Sequence, residues 1–334
     1  MKKAFLILCV ICLLIPFAAC GDEERDRLFD EALAALQTPA EEALSTGVLN
    51  LRCGESLVAP WLRGEVVPYD ELEETPIPKL QGTLTSSDAD VVSVDASGVL
   101  TALACGEAEL TYATPEGEKH LTVLVTEDGI PFGVQNYIYV LRREFYTVKR
   151  AKLPKYNKYA KWYYGKRKEV GWCSVFTIYC ANASGNNPIK LKEAEADPNP
   201  LIRFFREGQV GHQFDGFDDM GRFVGVPKPG YLVIYAELKN GYRTTHIGSV
   251  TDVEYLGEGR YAVETVEGNM SNSVKGYRYV YDSTCDNHTV GSEKGRKLQK
   301  NMSKLPKEEQ TNPLLQYELH TDHWAVFGFC ATYE

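Results

Sequence analysis

The chain has 334 residues, 44% of them hydrophobic and 25% charged, with a formal net charge of −10. That composition describes a folded globular protein and excludes a disordered one, and the acidic balance argues against nucleic acid as the main partner. After residue 20 no stretch is long and apolar enough to cross a bilayer, and the length allows about two domains.

The chain opens MKKAFLILCVICLLIPFAAC. Lys2 and Lys3 precede an apolar run from Ala4 to Phe17 that is short for a membrane span, and polar residues follow at once. Residues 1–19 therefore read as a secretory signal peptide. Phe17-Ala18-Ala19-Cys20 resembles a bacterial lipobox, which implies lipidation at Cys20 and anchoring on the outer face of the bacterial cell membrane. An ordinary signal peptide with an incidental cysteine is the bland alternative. Residues 20–46 are acidic and rich in Ala and Leu, and Leu28, Phe29, Leu33 and Leu36 fall near one helical face. They read as a helical or flexible stalk, with Pro39 interrupting the pattern.

From 47 to 127 the pattern changes to short alternating strands broken by Gly, Asp and Ser turns, as in an antiparallel sandwich. The stretch SSDADVVSVDASGVLTALACGEAELTYATPEGEKHLTVLV (residues 86–125) resembles a bacterial Ig-like group 2 domain. The resemblance implies an Ig-like fold used as a spacer or a cell-wall or surface-binding module, without catalytic residues. Cys53 and Cys105 each precede a Gly-Glu pair here and are candidates for a disulfide, with two buried thiols as the alternative. Cys285 and Cys330 form a second candidate pair. Residues 134–170 turn helical and basic; the cations read as a solvated face, with contact to an anionic cell-wall polymer as the other possibility.

The stretch EVGWCSVFTIYCANASG (residues 169–185) carries the chemistry. Cys173 opens an apolar run with helical potential. A cysteine at a helix N-terminus meets unpaired N–H groups at the positive end of the dipole, which favours the thiolate. Cys180, two turns later, would lie about 10.5 Å away along the axis, beyond disulfide reach, and reads as a buried thiol. A thiol nucleophile needs a base and the base an orienting partner. His246 opens one strand-like run, and Glu267 and Asn269 end the next. A hairpin with a four-residue loop, Leu256 to Gly259, would bring them together, with Glu267 and Asn269 on one strand face. His320 and His323 are the rivals to His246, while His212 and His288 read as surface or supporting groups. Asp215, Asp218 and Asp219 read as a solvated loop, and 282–313 as a polar insertion or lid.

YNKYAKWYYG, GWCSVFTIYCANASG, PKPGYLVIY, THIGSV, TVEGN and AVFGFC, in that order, resemble a CHAP domain, a papain-like cysteine amidohydrolase or peptidase. The resemblance covers about 150–332 and gives a domain over 134–334. It implies an α+β fold, helices on an antiparallel sheet, after the all-β module. It also implies Cys173 as nucleophile, His246 as base, Glu267 as orienting group and Asn269 as a supporting polar residue. Pro229-Gly230-Tyr231 departs from the family's Pro-Gly-Asp, and the insertion is longer than usual. No metal and no cofactor are expected. The implied activity is hydrolysis of amide bonds in peptidoglycan, as an N-acetylmuramoyl-L-alanine amidase or an endopeptidase, with muropeptide as substrate. A surface adhesion or scaffold lipoprotein with an inert CHAP-like domain is the competing expectation.

Overall fold

The structure is a computed structural model that describes residues 22–62, 80–197, 200–237, 243–284, 310–317 and 324–334. It is a mixed helix and sheet protein. In chain order, α1 (Asp22–Ala34) and α2 (Pro39–Thr46) lead into a β module. Its strands are β1 (Val48–Arg52), β2 (Ser56–Val58), β3 (Thr83–Ser86), β4 (Val92–Val94), β5 (Val99–Ala102), β6 (Gly106–Thr114) and β7 (Gly117–Thr126). A larger body follows: α3 (Phe132–Val148), α4 (Lys158–Tyr164), α5 (Cys173–Ala183), α6 (Val210–Asp219), β8 (Phe223–Val224), β9 (Leu232–Glu237), β10 (Arg243–Gly257), β11 (Arg260–Glu267), β12 (Lys275–Asp282) and β13 (Trp324–Cys330).

The β module holds a four-stranded sheet, ordered β1-β7-β6-β3, and a three-stranded one, β2-β5-β4. All pairs are antiparallel except β1 with β7. Alternation places Ala108, Leu110 and Tyr112 of β6 and Leu121, Val123 and Val125 of β7 inward. They share one core with Leu57 and Leu100 of the smaller sheet.

The larger body is built on a six-stranded antiparallel sheet, β12-β11-β10-β9-β13-β8. Strand β9 reads as a continuous apolar run because both its faces are covered. Leu232, Ile234 and Ala236 join the core shared with α5, and Val233 and Tyr235 join a tyrosine-rich core on the other side. Helix α5 is apolar all round and almost wholly buried, as a central helix should be. Asn157 caps α4 by accepting the N–H groups of Tyr159 and Ala160, and Gly165, at φ 64°, ends it in the left-handed region.

Four expectations are corrected. Residues 22–46 are helical but form no free stalk. Phe29 of α1 is fully buried in the core of the larger body, edge-on to Phe145 at 5.2 Å, and Asp30 pairs with Lys149 at 2.5 Å. Pro39 does not merely interrupt the pattern: it begins α2, whose Thr38 and Glu41 make a reciprocal capping box, and α2 packs Ala40 and Ala43 into the β module. The larger body is thus discontinuous in sequence, α1 first and the remainder from α3 onward. Asp215, Asp218 and Asp219 lie on α6, not in a loop. Cys53 and Cys105 are neighbouring free thiols, the Cys53 Sγ donating to the Leu103 carbonyl at 3.3 Å rather than bonding to sulfur. Cys20, Cys285, His288, His320 and His323, and most of the 282–313 insertion, lie outside the described residues.

Burial of Phe29 leads to a direct test. Phe29→Ala should lower the unfolding free energy of the larger body by about 3–5 kcal/mol, the usual cost of such a truncation in a core. Urea unfolding followed by near-UV dichroism measures it. A free stalk would lose nothing.

Candidate active site

Cys173, the first residue of α5, is buried to all but 8% of its surface. His246 enters from β10. Between Thr244 and His246 the pairing of β10 with β9 slips by one residue, so Thr245 is an extra residue. Such a bulge bends the strand and re-aims the side chain beside it. His246 is bonded to Cys173 on one side and to Glu267 on the other. Its Nε2 meets Glu267 Oε2 at 2.8 Å, which leaves Nδ1 for the thiol.

Glu267, the last residue of β11, is fully buried. Its Oε1 accepts from Tyr235 Oη at 2.6 Å and from Thr265 Oγ1 at 2.7 Å. With one oxygen occupied twice, the other is held for the imidazole. Tyr235 Oη also lies 3.0 Å from Tyr279 Oη. The imidazole ring stacks on Trp324 of β13, centroids 5.0 Å apart and planes 25° apart. An aromatic face beside an imidazolium favours the charged form.

The register explains how His246 and Glu267 meet. The β10–β11 turn has two residues, Glu258 and Gly259, and Gly257 pairs with Arg260. Two irregularities in β10, after Val250 and after Tyr255, then shift the pairing to Ser249 with Val266. The offset near His246 is the one a four-residue loop would have given, reached by another route. Continued by one position, that register sets Gly248 opposite Glu267. A Cβ on Gly248 would come within 2.7 Å of Glu267 Cγ, so glycine there lets the carboxylate lean across the strand toward His246. Gly268 serves a parallel purpose: a Cβ would strike Phe176 of α5 at 2.4 Å, so its absence brings the end of β11 against the helix. Asn269 does not continue the strand. It lies in a turn at φ 63°, and its Nδ2 would be 3.5 Å from a Cβ on Gly171, two residues before the nucleophile. It borders the site by that route and not by sharing a strand face with Glu267.

The electrostatics favour an ion pair. Burial alone would raise the Cys173 pKa, but the His246 hydrogen bond and charge, with the N–H groups of Ser174 and Ile247, outweigh it and hold the thiol below its ordinary value. Burial alone would lower the His246 pKa, but Cys173 and then Glu267 raise it from 6.5 to about 9. Cys180 has no such setting: burial pushes it well above the thiol range, and it is a core residue. Burial does the same to Cys330 in β13.

Beside Gly171 opens a cleft of about 460 Å³, lined by Tyr163, Tyr164, Lys168, Glu207, Gln209 and His212 among others. Gly171, two residues before Cys173, is part of its lining, so the cleft opens near the start of α5. His212, on α6, faces Glu207 at 3.6 Å on the cleft rim and does not join Cys173. Tyr235, Thr265 and Trp324 were not anticipated. Thr265 alone carried a signal, since it stands two residues before Glu267 and shares its strand face.

Two outcomes follow. Iodoacetamide should alkylate Cys173 well below pH 9 and far faster than Cys180, with no fall in rate above pH 9, because alkylation needs only thiolate. Gly248→Ala should displace Glu267, lower the alkaline pKa of His246 toward 6.5 and slow alkylation at pH 7; an unchanged pH profile would contradict the role given to Gly248. No protein-family model matches this chain, and no curated protein matches it in sequence.

Proposed function

We propose that the protein is a cysteine amidohydrolase acting on peptidoglycan, with Cys173, His246 and Glu267 as its catalytic triad. One observation carries the reading: a cysteine at a buried helix start, its pKa depressed, hydrogen-bonded to a histidine whose far nitrogen is held by a buried carboxylate. Structural cysteines have no use for such a relay; activated nucleophiles require one. The order of these groups along the chain, and a helix packed on an antiparallel sheet, support the CHAP-like reading. The paired small sheets of 47–127 support the Ig-like one. The signal-like N-terminus and the lipobox at Cys20 support an enzyme anchored outside the membrane, where peptidoglycan lies.

In this mechanism the Cys173 thiolate attacks the amide carbonyl carbon. The oxyanion that forms is received by N–H groups at the start of α5. The His246 imidazolium, held by Glu267, gives its proton to the leaving amine as the C–N bond breaks, leaving a thioester on Cys173. Neutral His246 then takes a proton from water, the hydroxide attacks the thioester, and the acid is released with the thiol restored. Both steps suit a muramoyl–alanine amide or a peptide link.

The test is lysis of purified cell walls, with products identified by mass spectrometry on defined muropeptides. Cys173→Ala and His246→Ala should each abolish release, with non-additive effects because the two act as a unit. His246→Ala should lose at least the ~10²–10⁴-fold that a positioned acid–base contributes. Glu267→Gln should retain more activity than either, since an amide still orients the ring but answers its charge poorly. Turnover should fall above about pH 9 as His246 loses its proton, whereas alkylation does not. Absence of lysis by the wild-type protein would reject the enzyme reading and favour a scaffold lipoprotein.

A further inference from the structure

Against the acidic balance of the whole chain, residues 149–170 hold nine Lys or Arg and a single acidic residue, Glu169. The structure gathers many of them on one surface. Lys161 stands three residues before Tyr164 on α4, so the two share a helix face. Lys168 returns over that same ring, its Nζ 4.4 Å from the centroid. Arg167 pairs with Glu169 at 2.6 Å, and the charge of Lys155 reaches the same carboxylate. Arg206 adds a cation from outside the segment, 4.9 Å from the Trp162 ring centroid. Lys155, Lys161, Lys166 and Lys168 are all exposed, and none forms an ion pair with a described residue.

Like charges gathered on one surface repel one another. Lys161 in the last turn of α4 and Lys168 over the Tyr164 ring have local partners in a dipole and a ring, but no carboxylate answers the charge of the cluster as a whole among the described residues. Between the cations stand half-buried aromatic rings, Trp162, Tyr163 and Tyr164. The surface is also continuous with the cleft beside the nucleophile, because Tyr163, Tyr164 and Lys168 line both.

We infer that this surface binds a linear anionic polymer of the cell envelope, carrying one carboxylate or phosphodiester charge per repeat, along α4 and up to the mouth of the cleft. The lysines meet the charges while the rings lie against the backbone of the chain. A run of separated cations along one helix and its following loop suits an extended polymer. An anionic bilayer fits less well, because α1, the helix nearest the expected lipid anchor, opens with Asp22, Glu23 and Glu24, which such a surface repels. Binding would hold the enzyme on its wall and feed adjacent strands to Cys173. The inference concerns binding and is independent of turnover.

The test uses full-length Cys173→Ala protein and measures affinity for polyglutamate and for poly(glycerol phosphate) across a salt series. Binding to both, with log K falling linearly in log salt, is the expected result. Replacing Lys155, Lys161 and Lys166 together by Gln should lower the slope by about 2 and the affinity at least tenfold. In the background that keeps Cys173, the same triple variant should show an unchanged alkylation rate at Cys173, which verifies the fold. Three results would each overturn the inference: binding to neutral dextran as strong as to the acid polymers; binding to phosphatidylglycerol vesicles alone, which would assign the surface to the membrane; or much tighter binding to a single-stranded oligonucleotide. Lysis by the wild-type enzyme without any polymer binding would also reject it while leaving the amidase reading intact. Binding without lysis would do the reverse.

Discussion

A carboxylate with no access to water is the constraint from which the site follows. Burying Glu267 costs several kcal/mol unless every lone pair finds a donor. Tyr235 and Thr265 satisfy one oxygen, and the imidazole reaches the other. The carboxylate therefore fixes the His246 tautomer and ring plane and favours the imidazolium. It does so only because Gly248 leaves the lane between β10 and β11 open. Trp324 closes the remaining ring face from β13. Four strands, β9, β10, β11 and β13, thus contribute to the state of one ring.

That arrangement carries a surplus of negative charge. Glu267 and the Cys173 thiolate share a single imidazolium, so the second negative charge must be answered by dipoles. The N–H groups of Ser174 and Ile247 and the positive end of α5 provide them. This makes the position of α5 a chemical matter as well as a packing one. Its register is set by contacts made away from the sulfur. Tyr137 of α3 shares a 2.6 Å hydrogen bond with Ser249 of β10, three residues from His246. Glu144 of α3, also buried, accepts from Tyr159 Oη at 2.6 Å and Lys158 Nζ at 2.8 Å, binding α4 to α3. Tyr159 in turn stacks on Trp172, the residue before the nucleophile, with centroids 5.3 Å apart.

What the sequence disclosed and what it hid divide along physical lines. The start of α5 was legible because its apolar run, 11 residues without Pro or Gly, is longer than a buried strand usually is, and a helix start is a definite chemical place. The meeting of His246 with Glu267 was legible as a hairpin, although the turn was misjudged: two bulges in β10 replace two loop residues, and bulges are settled by packing rather than by any residue type. Asn269 was misplaced because period-2 reasoning cannot see where a strand stops. Helix α1 shows one apolar stripe whose partner, α3, begins about a hundred residues later, so a docked helix and a free stalk have the same pattern. Helix α6 was hidden by its glycines and aspartates, which lower helix propensity. Gly216 is there for closeness, since a Cβ would meet Leu191 at 2.2 Å and Phe205 at 2.7 Å. Trp324 stood beside two histidines that drew attention by type, while its own role depends on a long-range strand pairing.

The β module is keyed to this machinery, not merely strung before it. Helix α3 begins after Pro131, whose side chain can accept no N–H, so the helix lacks a cap of its own. Glu55 of the β module supplies one across the junction. Its Oε1 accepts the Phe132 N–H at 2.6 Å while Oε2 accepts that of Arg52 at 2.9 Å. Burial pushes this carboxyl above its usual range, and the N–H groups pull it back only in part. Phe132 meanwhile lies in the core of the β module, although it is the first residue of a helix of the larger body. The chain thus crosses between the two cores twice, once after α1 and once at Phe132. A module hung on a single linker could swing; one fixed at two crossings and capping a core helix cannot do so without exposing Phe132 and unpairing Glu55. Helix α3 also bonds to β10 through Tyr137, so the helix that Glu55 caps is tied directly to the strand that carries His246.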